Sequence, residues 1–339
     1  MRFGIFVPQG WRMDLVGIEP EQQWDAMSGL ARYVDEGDAF ESIWVFDHFH
    51  TVPAPTQEAT HEAWSLMAGF AATTSRVRLG QMCTCMSYRN PAYLAKVAAT
   101  VDHISGGRLE MGIGGGWYEK EWRAYGYGFP PPRERLGRLR EGVRIFRDLW
   151  TTGQATLDGE HYQVERARCY PRPLQGTVLP GSELNGIPMW IAGGGEQVTL
   201  KIVARYADYA NVDGTPEVFA HKSEVLRGHC ADVGRDFDAI VRTADYNVFI
   251  AETESELDDR FRFYADTLRR GGIPEPKIER SVAAMRRGPA VGTPEQIVET
   301  FQGLAGLGLG YAITNFFDAA YDRSGIDLFT SQVIPALGG

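Results

Sequence analysis

The chain has 339 residues, of which 44% are hydrophobic and 23% are charged, a composition typical of a globular protein with a large core. Its formal net charge is −10 and no cluster of Lys and Arg stands out, which argues against nucleic acid or a membrane as partner. It has no apolar stretch of about 18 residues and no signal-peptide pattern at its N-terminus. The four cysteines form no CxxC pair, so we expect reduced thiols in a cytoplasmic protein.

Short apolar, β-rich runs alternate with longer helical patterns, an arrangement typical of βα units and a parallel sheet. The predicted strands lie at residues 2–8, 42–49, 77–85, 108–115, 188–194, 208–212, 241–250 and 311–317. Eight strands alternating with helices predict an α/β fold of the (β/α)8 TIM-barrel class. We expect residues 1–339 to form one domain, with insertions at about 117–133, 152–187 and 272–290.

Helical patterns fill the intervals between the predicted strands. Asn90-Pro91 and Thr293-Pro294 each place a capping residue before a proline, which predicts that helices begin there. Helices are also predicted over 196–207 and, as one long stretch, from Glu254 to Arg287.

Two of the insertions do not fit the alternation of predicted strands and helices. The first is predicted to be an aromatic, proline-rich loop, and the second begins with a hairpin around LDGEHYQV. The loops after strands carry the functional site in TIM barrels, so we expect the first insertion at the functional face.

Two glycine-rich stretches follow predicted strands. LEMGIGGGWYEKEW, residues 109–122, is not the dinucleotide-binding fingerprint, because Trp117 occupies the position of its third glycine. AGGGEQVTLKIV, residues 192–203, leads from a strand through glycines into a helix, and the free N–H groups at a helix start predict an anion site. The alternative for both stretches is a tight turn that binds nothing.

The segment FDHFH, residues 46–50, closes the second predicted strand. Asp47 and His48 lie where barrel enzymes carry catalytic groups, and histidine exchanges protons near neutral pH. Alternatively, Asp47 only ties down the loop. His48 and His50 have the spacing of metal ligands on a strand, but Asp318 is the one further candidate at the other strand ends examined, so we expect no metal.

Several stretches together resemble the luciferase-like monooxygenase superfamily and, within it, the oxidoreductases that depend on coenzyme F420. They are SIWVFDHF, the segment from TSRVRLGQMCTC through RNPAYLAKVAATVDHISGGRLEMGIGGGWYEKEW to RIFRDLW, MWIAGGGEQVTLKIVARYADYANV, and VGTPEQIVETFQGLAGLGLGYAITNF. They span nearly the whole chain in the order of the family. The resemblance implies a TIM barrel with insertion loops, usually a homodimer, that binds a flavin or deazaflavin at the carboxyl ends of its strands.

The resemblance also implies roles for individual residues. His48 would donate or accept the proton, with Asp47 orienting it, and a cis peptide bond at Met82–Cys83 would lie behind the cofactor ring. The residues expected to bind the cofactor are Met82, Cys83, Thr84, Gly114, Gly115, Gly116, Trp117, Ala192, Gly193, Gly194, Gly195 and Glu196. Trp117 and Trp122 would flank the ring, or else only pack within their loop. Trp117 also stands where sugar-phosphate dehydrogenases of the family place a catalytic carboxylate, so that activity is not expected.

These observations favour an oxidoreductase that transfers a hydride between coenzyme F420 and a small organic substrate, with a reductase supplying the reduced cofactor. FMN shares the phosphate site and is the alternative cofactor; the protein would then be a monooxygenase that uses reduced flavin and oxygen. A third hypothesis is a barrel that binds the cofactor without turnover. A metal-dependent hydrolase, the fourth, would contain zinc.

Overall fold

The computed structural model describes residues 1–175 and 186–338 of the chain. Its strands are β1 (Arg2–Phe6), β2 (Ser42–Val45), β3 (Arg78–Gln81), β4 (Thr84–Cys85), β5 (Leu109–Gly114), β6 (Gln154–Asp158), β7 (Gln163–Arg168), β8 (Met189–Ala192), β9 (Tyr209–Asn211), β10 (Val241–Ile250), β11 (Val291–Gly292) and β12 (Tyr311–Phe316). Its helices are α1 (Pro20–Glu36), α2 (Ala63–Thr73), α3 (Pro91–Ser105), α4 (Glu119–Ala124), α5 (Pro132–Thr152), α6 (Thr199–Tyr206), α7 (Pro216–Val233), α8 (Glu254–Arg270), α9 (Glu275–Met285), α10 (Pro294–Gly306), α11 (Ser324–Leu328) and α12 (Ile334–Ala336). A 3-10 turn covers Met86–Tyr88 and a π-helical turn covers Phe329–Val333.

The chain divides into two compact units. The first comprises Met1–Leu66, Gly214–Phe219 and the chain from Thr243 on, and its strands follow the order β11-β10-β12-β1-β2 with parallel pairing. The second comprises Met67–Asp213 and Ala220–Arg242. Its strands β3, β5, β8 and β9 are parallel, β4 pairs with β5, and β6 and β7 form a separate antiparallel hairpin.

The fold is a (β/α)8 barrel, as predicted, with β1, β2, β10 and β12 in the first unit and β3, β5, β8 and β9 in the second. All eight predicted strands are present, and β10 has the predicted bounds. The second and third strands differ from their predictions. The second ends at Val45, so Asp47 and His48 lie in the loop after it, and the third is interrupted after Gln81 and resumes at Thr84.

Three predictions about the segments between strands need correction. The stretch from Glu254 to Arg287 is two helices, α8 and α9, because Gly272 takes a positive φ of 80° and Pro274 follows. The helix predicted over 196–207 begins only at Thr199, after a turn. The first insertion is not all loop, because α4 forms within it.

The predicted hairpin and helix starts are confirmed. The hairpin at LDGEHYQV is β6–β7, and the segment predicted as the third insertion contains α9. Residues 176–185 of the second insertion lie outside the described residues. Both predicted helix starts are capped: the Asn90 side chain accepts hydrogen bonds from Ala92 and Tyr93, and Thr293 forms a capping box with Gln296.

Each unit has its own apolar core. In the first, α8 packs on β10 through Phe261, which stacks on Phe249 with ring centroids 4.3 Å apart, and Ile278 of α9 belongs to the same core. In the second, Trp190 of β8 stacks on Tyr209 of β9 at 3.9 Å. Trp190 also donates a 2.6 Å hydrogen bond to Glu110, a buried carboxylate of β5 whose pKa burial raises. These contacts hold the strands whose carboxyl ends carry the predicted site residues.

Candidate active site

The break in the third strand forms the centre of the predicted ring site. The Met82–Cys83 peptide bond is cis, as the resemblance implies. Thr84 donates a 2.6 Å hydrogen bond from its hydroxyl to Oε1 of Gln81, which fixes the amide of Gln81. Nε2 of that amide is buried and has no hydrogen-bond partner in the described parts of the chain. A buried donor without an acceptor is costly, so this amide is suited to a polar atom of a bound molecule.

The glycines after β5 are required by the packing of the protein itself. A Cβ atom on Gly114 would lie 2.6 Å from Sγ of Cys83, and one on Gly115 would lie 3.1 Å from Leu136. Gly116 has a φ of 76°, and a Cβ there would lie 2.6 Å from Sγ of Cys85. The main chain of β5 therefore lies directly against the interrupted strand. A cofactor contact at these three glycines stays a prediction.

The two tryptophans of the first insertion have different environments. Trp117 is 61% exposed and stacks on Tyr118 with ring centroids 5.2 Å apart. Trp122, on α4, is fully buried, and its indole N–H has no partner among the described residues. A Cβ on Gly116 would lie 3.0 Å from that indole nitrogen, so Trp122 lies against the glycine turn. Trp122 therefore offers a second buried donor close to the predicted ring site.

The second glycine stretch forms a turn between β8 and α6. Gly193 has a φ of 118°, which favours glycine, and its N–H donates to the carbonyl of Asn211 at 3.0 Å. A Cβ on Gly194 would lie 3.2 Å from Cε of Lys222, and one on Gly195 would lie 2.9 Å from Oγ1 of Thr199. A main-chain turn, a hydroxyl and an ammonium group thus meet at this point. The combination suits a phosphate.

Glu196, predicted to contact the cofactor, accepts hydrogen bonds from other side chains of the protein, and its contact with a cofactor stays a prediction. Its Oε1 accepts hydrogen bonds from Nζ of Lys222 at 2.6 Å and from Nε2 of His221 at 2.9 Å. These two bonds lower the pKa of Glu196. Its carbonyl also accepts from His229 at 2.8 Å. Glu196 therefore orients Lys222, a residue that sequence reasoning missed because α7 brings it to the glycine turn only through tertiary packing.

Asp47 and His48 lie in the first unit, directly after β2. Asp47 is buried and His48 is half-buried. The ring of Trp11 stacks on the imidazole of His48, with centroids 4.2 Å apart and planes 7° from parallel. The Gln9 amide donates to the carbonyl of Phe46 and accepts from its N–H, each at 2.8 Å, and so fixes the main chain before Asp47. Gln9 and Trp11, which position this loop, were not predicted.

The predicted residues thus form two groups. The catalytic pair lies in the first unit, whereas Met82, Cys83, Thr84, the glycines, Trp117, Ala192 and Glu196 lie in the second. In the part of the chain that the structure describes, no three His, Cys, Asp or Glu residues come together as metal ligands would. No described helix is long and apolar enough to cross a membrane.

Comparison with known proteins identifies the family. The profile of the luciferase-like monooxygenases matches residues 1–310. The chain belongs to the luciferase-like monooxygenase family. Its relatives include both monooxygenases and dehydrogenases that depend on coenzyme F420.

The pyrimidine monooxygenase RutA of Stutzerimonas stutzeri is 32% identical over 277 residues, which cover 78% of this chain and 72% of RutA. The F420-dependent glucose-6-phosphate dehydrogenase of Amycolatopsis mediterranei is 35% identical over 173 residues, 50% of this chain. This match spans 46% of the dehydrogenase, less than half of its length. The luciferase-like chain therefore has relatives of both reaction types.

A solved F420-dependent secondary alcohol dehydrogenase, in complex with an F420-acetone adduct, has the same fold. Its TM-score is 0.76 at 19% identity, and the match covers 99% of this chain and 98% of that one. The luciferase-like chain thus shares the barrel fold of that protein. It belongs to a family of oxidoreductases and monooxygenases.

The described residues fit a cofactor that carries a phosphate and a polar ring. In the second unit, Gln81 and Trp122 each have a buried donor without an acceptor among the described residues, Gln81 beside Gly112 of β5 and Trp122 beside Gly116. Lys222 and Thr199 supply the polar groups at the other glycine turn. A flavin and a deazaflavin both have ring acceptors and a phosphate on a ribityl chain, so these features suit either one.

Proposed function

We propose that the protein is an oxidoreductase that transfers a hydride between coenzyme F420 and a small organic substrate. The observation that carries the proposal is the polar turn at Gly194 and Gly195, where Lys222 and Thr199 lie beside the main chain of the glycines. The F420-dependent dehydrogenases among its relatives support the deazaflavin rather than FMN. A separate reductase or dehydrogenase would supply the reduced cofactor.

The cofactor, when bound, supplies hydride chemistry, and the residues of the chain bind it and handle the proton. Lys222, oriented by Glu196, would neutralise the phosphate, while N–H groups of the glycine turn donate to it. The Gln81 amide and the Trp122 indole would donate hydrogen bonds to acceptors on the ring. His48 would hold the proton that joins or leaves the substrate oxygen, with its ring held by the stack on Trp11.

Titration of the purified protein with coenzyme F420 and with FMN, followed by quenching of their fluorescence, tests the proposal. We expect tighter binding of coenzyme F420. Tighter binding of FMN would instead support the monooxygenase, for which the relative RutA is the observation in favour. If neither binds, the proposed function is wrong and only the fold and family remain. Binding with no turnover in a broad substrate screen would favour the barrel that only holds the cofactor.

A matched pair of lysine variants tests the phosphate site itself. Lys222→Met should weaken FMN binding at least about tenfold, since a charge-assisted hydrogen bond contributes about 1.5–3 kcal/mol. Riboflavin has the same ring without the phosphate, so its affinity should not change. Lys201→Met, at an exposed position of α6, controls for the loss of a surface charge. Equal losses for FMN and riboflavin would mean that Lys222 does not bind the phosphate.

A further inference from the structure

A small cavity in the first unit is lined by polar side chains that have no role in the proposed function. Its volume is about 100 Å³, and α8 and α9 close it on one side. The polar lining residues are Arg12, Asn247, Tyr264, Ser281 and Asn315. Phe249, Phe317 and Met285 form much of its apolar wall. One cation thus faces four neutral hydrogen-bonding groups in an otherwise apolar space.

Arg12 is the charged group of this cavity, and its charge is not paired. Its guanidinium lies over the rings of Trp11 and Phe46, 5.0 and 5.2 Å from their centroids. Its Nε is buried and has no hydrogen-bond partner, and the side chain forms no ion pair within residues 1–175 and 186–338. Burial lowers the pKa of Arg12, whereas Tyr264, Asp14 and Asp245 act at longer range to raise it.

Arg12 is half-buried, and its charge lies against apolar side chains without a carboxylate, so an anion in the cavity would stabilise it. Asp14 attracts Arg12 at longer range but forms no ion pair with it among the described residues, and its Oδ1 accepts hydrogen bonds from the N–H groups of Gly10 and Gln9 at 2.6 and 3.4 Å. Arginine remains protonated at any pH of interest, so the positive charge is permanent. The cavity therefore favours a ligand with negative charge.

The other lining groups limit the charge and size of that ligand. Asn315 donates to Oδ1 of Asn247 at 3.1 Å, and this bond uses one of the four N–H groups that the two amides carry. One cation with neutral donors balances a single negative charge better than the double charge of a phosphate. A dry cavity of about 150 Å³ holds benzene, so this smaller one suits a carboxylate on a short carbon chain. The planar guanidinium can bind such a carboxylate through two parallel hydrogen bonds.

The cavity also lies close to the predicted catalytic histidine. Trp11 stacks on His48 at 4.2 Å and contacts the guanidinium of Arg12 through its ring. A carboxylate held by Arg12 is therefore separated from His48 by one indole. The cavity and the predicted catalytic histidine therefore share Trp11 as a common neighbour.

We propose that Arg12 and this cavity bind the carboxylate of the substrate, so that the substrate class is small carboxylic acids. That the bound carboxylate belongs to the substrate rests on the proposed function, whereas the binding of a carboxylate to this cavity does not.

Saturation-transfer NMR on the cofactor-free protein tests the assignment, with butanoate, butan-1-ol and inorganic phosphate as probes. We expect saturable binding of butanoate, and weaker or no binding of the other two. Arg12→Met should weaken butanoate binding at least about tenfold. Arg12→Lys should retain only part of the wild-type affinity, because lysine lacks the two parallel N–H donors of the guanidinium. Arg140→Met, at an exposed position of α5, should bind butanoate as the wild type does.

A second variant keeps the test decisive if Arg12→Met does not fold. Ser281→Phe fills the cavity from α9, leaves Arg12 in place, and should abolish butanoate binding. The proposal is overturned if the wild type does not bind butanoate, if phosphate or butan-1-ol binds more tightly, or if a folded Arg12→Met or Ser281→Phe protein binds butanoate unchanged. The titrations with coenzyme F420 and FMN are separate measurements, so a protein that binds butanoate but binds neither cofactor in those titrations would disprove the proposed function alone.

Discussion

Asp14 is a buried carboxyl group whose environment changes its acidity. Burial raises its pKa to about 6, although the N–H groups of Gly10 and Gln9 and the charge of Arg12 act in the opposite direction. An aspartate in the unfolded chain has a pKa of about 4. Between about pH 4 and pH 6, the folded protein therefore holds a proton that the unfolded chain has lost. In that window the free energy of unfolding falls as the pH rises.

We expect Asp14→Asn to remove this pH dependence, because an amide oxygen still accepts the two N–H groups but does not ionise. The variant should gain about 2–3 kcal/mol relative to wild type between pH 4 and pH 7, from about two pKa units at 1.36 kcal/mol each. Urea denaturation of both proteins at the two pH values measures the gain. Asp25→Asn, at an exposed position of α1, controls for the loss of one negative charge. If the difference in free energy of unfolding between Asp14→Asn and wild type did not change with pH, the raised pKa of Asp14 would be refuted.

His48 is the residue on which the proposed chemistry depends. His48→Asn should lower kcat about 10²- to 10⁴-fold on a carboxylic acid substrate found by screening, since this is the usual contribution of a general acid or base. The affinity for the cofactor should remain unchanged, which fluorescence titration checks. His103→Asn, on α3, serves as the control. A kcat close to that of the wild type would mean that another group handles the proton.

At the scale of elements, the hairpin β6–β7 depends on one carboxylate of α5. Oε1 of Glu141 accepts the N–H of Glu160 at 3.0 Å. Its Oε2 accepts those of His161 at 3.0 Å and Tyr162 at 2.9 Å. Glu141 is buried, so water does not easily replace it. The hairpin turn is therefore held on the barrel by three main-chain hydrogen bonds to a single side chain.

Glu141→Ala should lower the free energy of unfolding by about 3 kcal/mol, because it leaves three N–H groups without an acceptor. Amide hydrogen exchange should show the loss of protection at residues 160–162 first. Glu165→Ala, on an exposed position of β7, should change stability by less than about 0.5 kcal/mol. Unchanged exchange at the turn in Glu141→Ala would show that other contacts hold the hairpin.

At the scale of the whole molecule, the resemblance to the family implies a homodimer, and this stays a proposal. The chain has a mass of 37.7 kDa, so light scattering during gel filtration should give about twice that value. The net charge of −10 disfavours nonspecific association near neutral pH, and a dimer that persists in high salt would be held by apolar surface rather than by charge. A mass of one chain at micromolar concentration would contradict the expectation.

The sequence by itself determined the order of the eight barrel strands, the capped starts of α3 and α10, the hairpin, and the positions of both glycine turns. These features depend on local periodicity and on residues a few positions apart, so a single sequence reveals them. It also indicated the cis peptide bond at Met82–Cys83 and the family through resemblance. The long helical stretch predicted from Glu254 to Arg287 is divided into α8 and α9, because Gly272 and Pro274 interrupt it.

Only the tertiary structure decided which side chains meet. Lys222 reaches Gly194 because α7 packs beside the turn after β8, and Glu196 contacts that lysine rather than open solvent. Arg12 shares a cavity with Asn247 because strands distant in sequence lie side by side. Both arrangements depend on packing between segments that are distant in sequence, and no local sequence pattern predicts them. Local sequence patterns thus predict the helices and strands. The grouping of charged side chains that would bind a ligand depends on how those helices and strands pack together.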